Sequence, residues 1–307
     1  MDKSISVFHP LSGPSFDLRH NTWEQQYLNS IRRVVTHGKD VANKRTGKVC
    51  KTVFHQSFHV NVADNQVPLP TVRKLGIKKP IAELLGFLRG YDNAAQFREA
   101  GTTTWDTNAN VTQAWVESPH RKGEDDLGLI YGGVARNWPK HDGTTIDILT
   151  KIYTNLRNGI DDRGEILTFW NPGLFEKGAL RACMYEHVFC LIDGVLNIES
   201  MQRSADSLIG NAINTFQSYV LLRLMAQITG HQAGELVHNC VNYHIYDNQL
   251  PVLFESGMLD REPFPPAQLW INPEIKTLED VLTWVTVDDF RIDGYVSHPR
   301  VDFPFAE

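Results

Sequence analysis

Residues 181–206 read RACMYEHVFCLIDGVLNIESMQRSAD, with a cysteine near one end, an arginine near the other and Asp193-Gly194 between them. An Asp-Gly pair between apolar-rich runs favours the two-residue hairpin turn whose central positions both take positive φ. Residues 184–192 and 195–203 are therefore expected to pair as strands. Pairing about that turn sets Cys183 opposite Ser204 and Met184 opposite Arg203, which brings a thiol beside a guanidinium. Such a neighbour favours the thiolate, the form in which cysteine acts as a nucleophile. On residue type alone the plainer alternative is a buried structural cysteine near a surface arginine, because free cysteine mostly packs as a small apolar residue.

The elements that must hold this chemistry are read from periodicity. TWEQQYLNSIRRVVTHG places Trp23, Tyr27, Ile31 and Val34 at helical spacing with Gly38 as a stop, after an irregular lead-in over residues 1–20. KVCKTVFHQSFHVNV (48–62) is rich in β-branched and aromatic residues and predicts strand. PIAELLGFLRGYDN (80–93) returns to helical spacing through Ile81, Leu84, Leu85 and Leu88, and Gly90 closes it. Glu83 lies among those apolar residues, so its carboxylate is expected to be partly desolvated, with a pKa raised toward a value useful for acid/base work.

Residues 100–145 are too long and polar for an ordinary connection and are expected to line a site. A helix over 146–159, a short strand at 165–172 and a buried helix over 212–231 follow, the last with Ile213, Phe216, Val220, Leu224 and Ile228 on one face. LVHNCVNYHIYDNQ (236–249) predicts a strand, on which His244 and Tyr246 project to the same side. Strands and helices do not alternate regularly, so the expected class is α+β, a large, mostly antiparallel twisted sheet flanked by helices.

The chain has 307 residues, 42% of them hydrophobic, enough for one large domain or two modest ones, and since no composition break demands two it is read as a single domain over 1–307. A formal net charge of −6 argues against general nucleic-acid affinity and favours a small anionic ligand held in a local basic pocket. The four cysteines are widely spaced without a CxxC pair, so neither a metal site nor a disulfide framework is expected. No signal-peptide core and no run of eighteen apolar residues is found, and a cytoplasmic protein is expected.

In chain order, RTG (45–47), AELLGFLRGYDNAAQFR (82–98), TTTWD (102–106), DLGLIYG (126–132), DDRGEILTFWNP (161–172), the Cys183 strand, QRSADSLIGNAIN (202–214), HIYDNQ (244–249) and DDFRIDGY (288–295) resemble thymidylate synthase over most of the chain. The resemblance implies a homodimer packed sheet against sheet, each pocket completed by the partner. It also implies transfer of a one-carbon unit from the co-substrate 5,10-methylenetetrahydrofolate to C5 of dUMP, with no metal.

By the same resemblance, Cys183 adds to C6 of the uracil ring, Glu83 is the general acid/base acting through water, and Tyr131 assists removal of the C5 proton. Arg45, Arg203 with Ser204, and Arg163 donated by the partner clamp the phosphate in fork geometry. Asn214 reads the base, since an amide can accept from uracil N3–H while donating to O4. His244 and Tyr246 meet the deoxyribose 3′-hydroxyl. Trp105, Asp206, Gly210 and Ile213 contact the folate, and Arg73 its glutamate tail.

Some positions depart from the family's usual pattern: Gly164 in place of a second arginine, Ala182 before the cysteine, Met184 after it, Val134, the NAIN segment (211–214) and the PFAE ending. A charged Glu307 at a loosened lid would admit water to the exocyclic methylene intermediate, so a dUMP hydroxymethylase is one alternative. A catalytically inactive homologue that binds nucleotide or RNA is another.

Overall fold

The structure is a computed structural model that describes residues 22–42 and 47–305. The lead-in over 1–20, Arg45 and Glu307 lie outside the described residues.

Six strands form the main sheet: β1 (Lys39–Ala42), β2 (Val49–Asn61), β3 (Ile166–Thr168), β4 (Met184–Ile192), β5 (Val195–Asp206) and β6 (Gln232–Tyr246). Their spatial order is β1-β2-β6-β5-β4-β3. Every neighbouring pair is antiparallel except β5 and β6. A parallel pair needs a crossover connection, and here the helix α4 (Gly210–Thr229) supplies it, after α1 (Trp23–His37), α2 (Lys78–Arg89) and α3 (Ile148–Arg157). The expected α+β class with a mostly antiparallel sheet is the one observed.

Helix α4 is buried around nearly its whole circumference, because β5 and β6 cover one side while α2 and α3 pack on the others. Helix α1 lies against β2 and β6, where Tyr27 and Ile31 meet Phe58 and Tyr243 in the core and Ser30 Oγ lies 2.8 Å from the Tyr243 hydroxyl. The stretch 100–145 is built from short helical turns at Asp106–Asn110, Gln113–Val116 and Tyr131–Ala135. Arg98 fastens the first of these by bonding Asp106 at 2.7 Å and Asp125 at 3.0 Å.

The hairpin forms as the Asp-Gly pair predicts: Asp193 has φ 50° and Gly194 φ 78°, both positive as a type I′ turn requires. From Ile192↔Val195 to Glu186↔Met201 the register follows the turn, but Met184 then pairs with Gln202. One extra residue, Tyr185, sits on β4, a β-bulge. The expected facing of Cys183 with Ser204 and of Met184 with Arg203 is thereby corrected by one place: Cys183 faces Arg203 itself, whose N–H donates to the Cys183 carbonyl at 2.9 Å.

Candidate active site

Cys183 immediately precedes β4 and Arg203 lies toward the end of β5, so the bulged register sets thiol and guanidinium side by side. Arg203 Nη2 lies 3.6 Å from Cys183 Sγ. The same guanidinium donates from Nε to the Ala182 carbonyl at 2.9 Å and from Nη2 to the Arg181 carbonyl at 3.1 Å. The Trp170 ring lies 5.6 Å from its central carbon. It is thus held in place before any ligand arrives. One residue upstream, Gln202 is buried and its Oε1 lies 2.9 Å from His238 Nε2, which fixes this end of β5.

Tyr131 approaches Cys183 from the other side. The Cys183 N–H donates to the Tyr131 hydroxyl at 3.1 Å, which leaves the phenolic hydrogen available to a third group. Burial, and next the nearby Cys183, push the phenol well above its usual pKa, so it stays protonated. Its ring stacks on Phe87 of α2 at 4.1 Å and 10°. That closeness needs Gly132, because a Cβ there would stand 1.6 Å from the Phe87 carbonyl oxygen.

Glu83, four residues before Phe87 on α2, is only partly exposed. Burial raises its carboxyl to about 7, against the smaller lowering effect of a 2.8 Å hydrogen bond from Gln217 Nε2. The nearby Trp105 indole N–H favours the ionised form slightly, yet it lies outside hydrogen-bond geometry. It is a buried donor without an acceptor among the described residues. A carboxyl half-ionised near neutrality serves as either acid or base. Trp105 itself is packed edge-on to Phe87 and Tyr131.

The remaining predicted residues fall into three sets. The first comprises Ser204, the residue after Arg203 on β5, Asn214 in the first turns of α4, and His244 with Tyr246 at the end of β6. The Asn214 side-chain amide is partly exposed and has no hydrogen-bond partner among the described residues. The parallel register places Asp206 beside His244 and Ser204 beside Asn242. His244 and Tyr246 meet edge to face at 5.0 Å, and burial lowers His244 to about 4, which keeps the imidazole neutral. Its Nδ1 lies 2.8 Å from Asn242 Oδ1.

A second set already has internal work. Asp206 Oδ1 accepts the N–H groups of Leu208 and Ile209 at 2.9 and 3.2 Å, and Oδ2 accepts from Gln249 at 2.7 Å. Burial raises its pKa above the ordinary carboxylate value. Gly210 and Ile213, both partly exposed, begin α4 directly after that turn. Arg73 is buried, donates to the Leu208 carbonyl and lies 5.4 Å from the Phe303 ring. Its guanidinium is turned inward, and this is not the exposed position that gripping a glutamate tail calls for.

The third set is Arg163, which the structure does not bring to the thiol. Asp161 joins the Arg163 N–H at 2.8 Å to the Leu191 N–H, also at 2.8 Å. Leu191 stands eight residues along β4 from Cys183, which at a strand's rise is roughly 26 Å.

A void of about 10 Å³, large enough for one water, lies among Tyr131, Val134, Phe169 and Ala182. A larger groove of about 510 Å³ between Trp115, His120 and Glu176 contains none of the residues singled out from the sequence. Gln217 was not anticipated, although it stands one turn from Asn214 on the same helix face, and this spacing was the available signal. Among the described residues no group of His, Cys, Asp or Glu is arranged to hold a metal ion. No helix among them is long and apolar enough to cross a membrane.

A thiol and guanidinium on paired strands, beside a carboxyl tuned to neutrality and a protonated phenol, define a transferase of the nucleophilic-cysteine class. The model of the thymidylate synthase family matches residues 25–307. The chain is 53% identical over 282 residues to the thymidylate synthase of Pseudoalteromonas translucida, covering 92% of this chain and 99% of that relative. It is 54% identical to that of Haemophilus influenzae and 53% identical to that of Pasteurella multocida, each with the same two coverages. The chain belongs to the thymidylate synthase family.

Proposed function

We propose that this enzyme methylates dUMP at C5, taking the one-carbon unit from 5,10-methylenetetrahydrofolate and releasing dTMP and dihydrofolate. The observation that carries the reading is the guanidinium nitrogen of Arg203 at 3.6 Å from the Cys183 sulfur, in a chain more than half identical to named synthases. Cys183 adds to C6 of the ring and makes C5 an enolate-like carbon that bonds the one-carbon unit. Glu83, working through water, exchanges protons with the base, and Tyr131 takes part in removing the C5 proton. Loss of that proton expels the folate nitrogen from the one-carbon unit and leaves an exocyclic methylene. Hydride from the bound tetrahydrofolate then adds to it, giving the methyl group and dihydrofolate, as Cys183 leaves C6 as the thiolate. The hydroxymethylase alternative is not favoured, since these relatives carry the synthase name.

Around this chemistry, Arg203, Ser204 and Arg45 bind the phosphate, Asn214 reads uracil, and His244 with Tyr246 meets the deoxyribose. Trp105, Asp206, Gly210 and Ile213 form the folate side. Arg163 completes the phosphate clamp of a second copy in a homodimer. Its distance from its own Cys183 supports this, as does the apolar surface at Phe54, 80% exposed, and Val241 on adjacent strands. We read the chain as one catalytic domain, since one buried cluster runs from Trp23 to Phe290. Its four free cysteines suit a reducing cytoplasm.

The test is to supply dUMP tritiated at C5 with methylenetetrahydrofolate and follow tritium release, product mass and dihydrofolate together. Release accompanied by dTMP and dihydrofolate is expected. Hydroxymethylated product without dihydrofolate would overturn the methylation reading, and no release at all would overturn every enzymatic one.

A further inference from the structure

Gln249 ends the HIYDNQ segment, is fully buried, and has no part in the chemistry above. Its Oε1 accepts the Tyr246 N–H at 3.1 Å. Its Nε2 donates to Asp206 Oδ2 at 2.7 Å and to the Pro304 carbonyl at 3.2 Å. A backbone N–H only donates, while an ionised carboxylate and a carbonyl only accept, so this amide fits in one orientation alone. One planar nitrogen therefore holds both the carboxylate assigned to the folate side and the C-terminal segment.

A second fastener reaches the same place from the opposite side. Glu24 takes hydrogen bonds from Thr71 Oγ1 at 2.6 Å and Val72 N–H at 2.8 Å, which holds the loop carrying Arg73. The Arg73 guanidinium donates to the Leu208 carbonyl and backs the Phe303 ring. Asp206 Oδ1 in turn accepts the Leu208 N–H. Phe303 and Pro304, neighbours in the tail, are thus tied to the two ends of one turn, residues 206–208.

We propose that Gln249 is a positioning residue for folate: it aligns the Asp206 carboxylate and seats the C-terminal segment as one unit. Moving the tail carbonyl turns the amide, and turning the amide moves the hydrogen bond on Asp206. The proposal rests on the reading that Asp206 faces the folate, and its test separates the two.

Gln249→Met keeps the volume and removes the polar atoms. Three quantities are measured on the full-length variant: KM for methylenetetrahydrofolate against kcat, Kd for dUMP alone, and release of Phe305 by carboxypeptidase Y. Folate KM rises about tenfold, as loss of a hydrogen bond to a charged group implies. Tail release speeds up by a similar factor, while Kd for dUMP changes less than folate KM, because Gln249 reaches the deoxyribose-binding strand only at the Tyr246 backbone N–H and not at its side chain. Truncation after Asp302 raises folate KM alike, and adding Gln249→Met to the truncated chain adds little, as expected of parts acting together. Unchanged folate KM and tail release, or effects that simply multiply, would overturn the proposal.

Should Gln249→Met fail to bind dUMP and so be misfolded, Gln249→Glu decides. Its neutral form still donates one bond, so folate KM relative to the unaltered chain climbs from about pH 6 to about pH 8.5 as the carboxyl ionises beside Asp206. A flat ratio refutes the idea. If the unaltered chain makes no dTMP, the functional reading falls, and the carboxypeptidase measurement still judges the tie between Gln249 and the tail.

Discussion

At the scale of single residues, the chemistry rests on a sulfur and a carboxyl whose surroundings do different things. Cys183→Ala is expected to abolish tritium release while dUMP binding stays measurable by calorimetry, because the guanidinium beside it is anchored to carbonyls and does not depend on the sulfur. Glu83 titrates near 7, above its value in an unfolded chain, so the folded state binds more protons and loses stability as pH rises through that window. Glu83→Gln should therefore raise Tm at about pH 8, leave it nearly unchanged at about pH 4.5, and cut kcat by roughly 10²-fold or more. Asn214→Asp should shift the preference measured by kcat/KM from dUMP toward dCMP, since a carboxyl suits the cytosine edge. The raised pKa of Glu83 was legible in advance because its apolar neighbours are its neighbours in sequence. The inward turn of Arg73 was not, because the ring that covers it, Phe303, comes from the other end of the chain.

At the scale of elements, close approaches set the geometry. Gly132→Ala drives a methyl group into the Phe87 carbonyl. Such overpacking costs on the order of 2–3 kcal/mol by urea denaturation, and a lower kcat should follow as Tyr131 is pushed from the thiol. The hairpin was readable because Asp193-Gly194 names its own turn type. The bulge was not, since Tyr185 has nothing in its residue type that marks an extra place in a strand, and only the pairing with Gln202 discloses it. Likewise the long polar stretch 100–145 brings Tyr131 against Cys183, but its short helical turns were not readable. The first of them, Asp106–Asn110, is held by ion pairs and hydrogen bonds around Arg98 and Asp125 rather than by any periodicity.

At the scale of the whole molecule, the placement of Arg163 decides whether one copy suffices. Mixing Arg163→Ala with Cys183→Ala chains under exchange should recover about a quarter of wild-type activity, because random reassortment gives half mixed dimers with one sound site each. Recovery of none would place both residues in the same chain's site. If the proposed dimer holds, the stretch from Cys183 to Leu191, with Asp161 pinned at its far end, sets the distance between a subunit's thiol and its own Arg163. Two residues inserted in each arm between 186 and 191 would keep every side chain on its face yet slide Arg163 by about 7 Å relative to Cys183, and on the dimer reading this should abolish the phosphate contact and lower kcat/KM for dUMP. Residues added past Leu191, at the Asp193-Gly194 tip, should by contrast move neither end and leave activity intact.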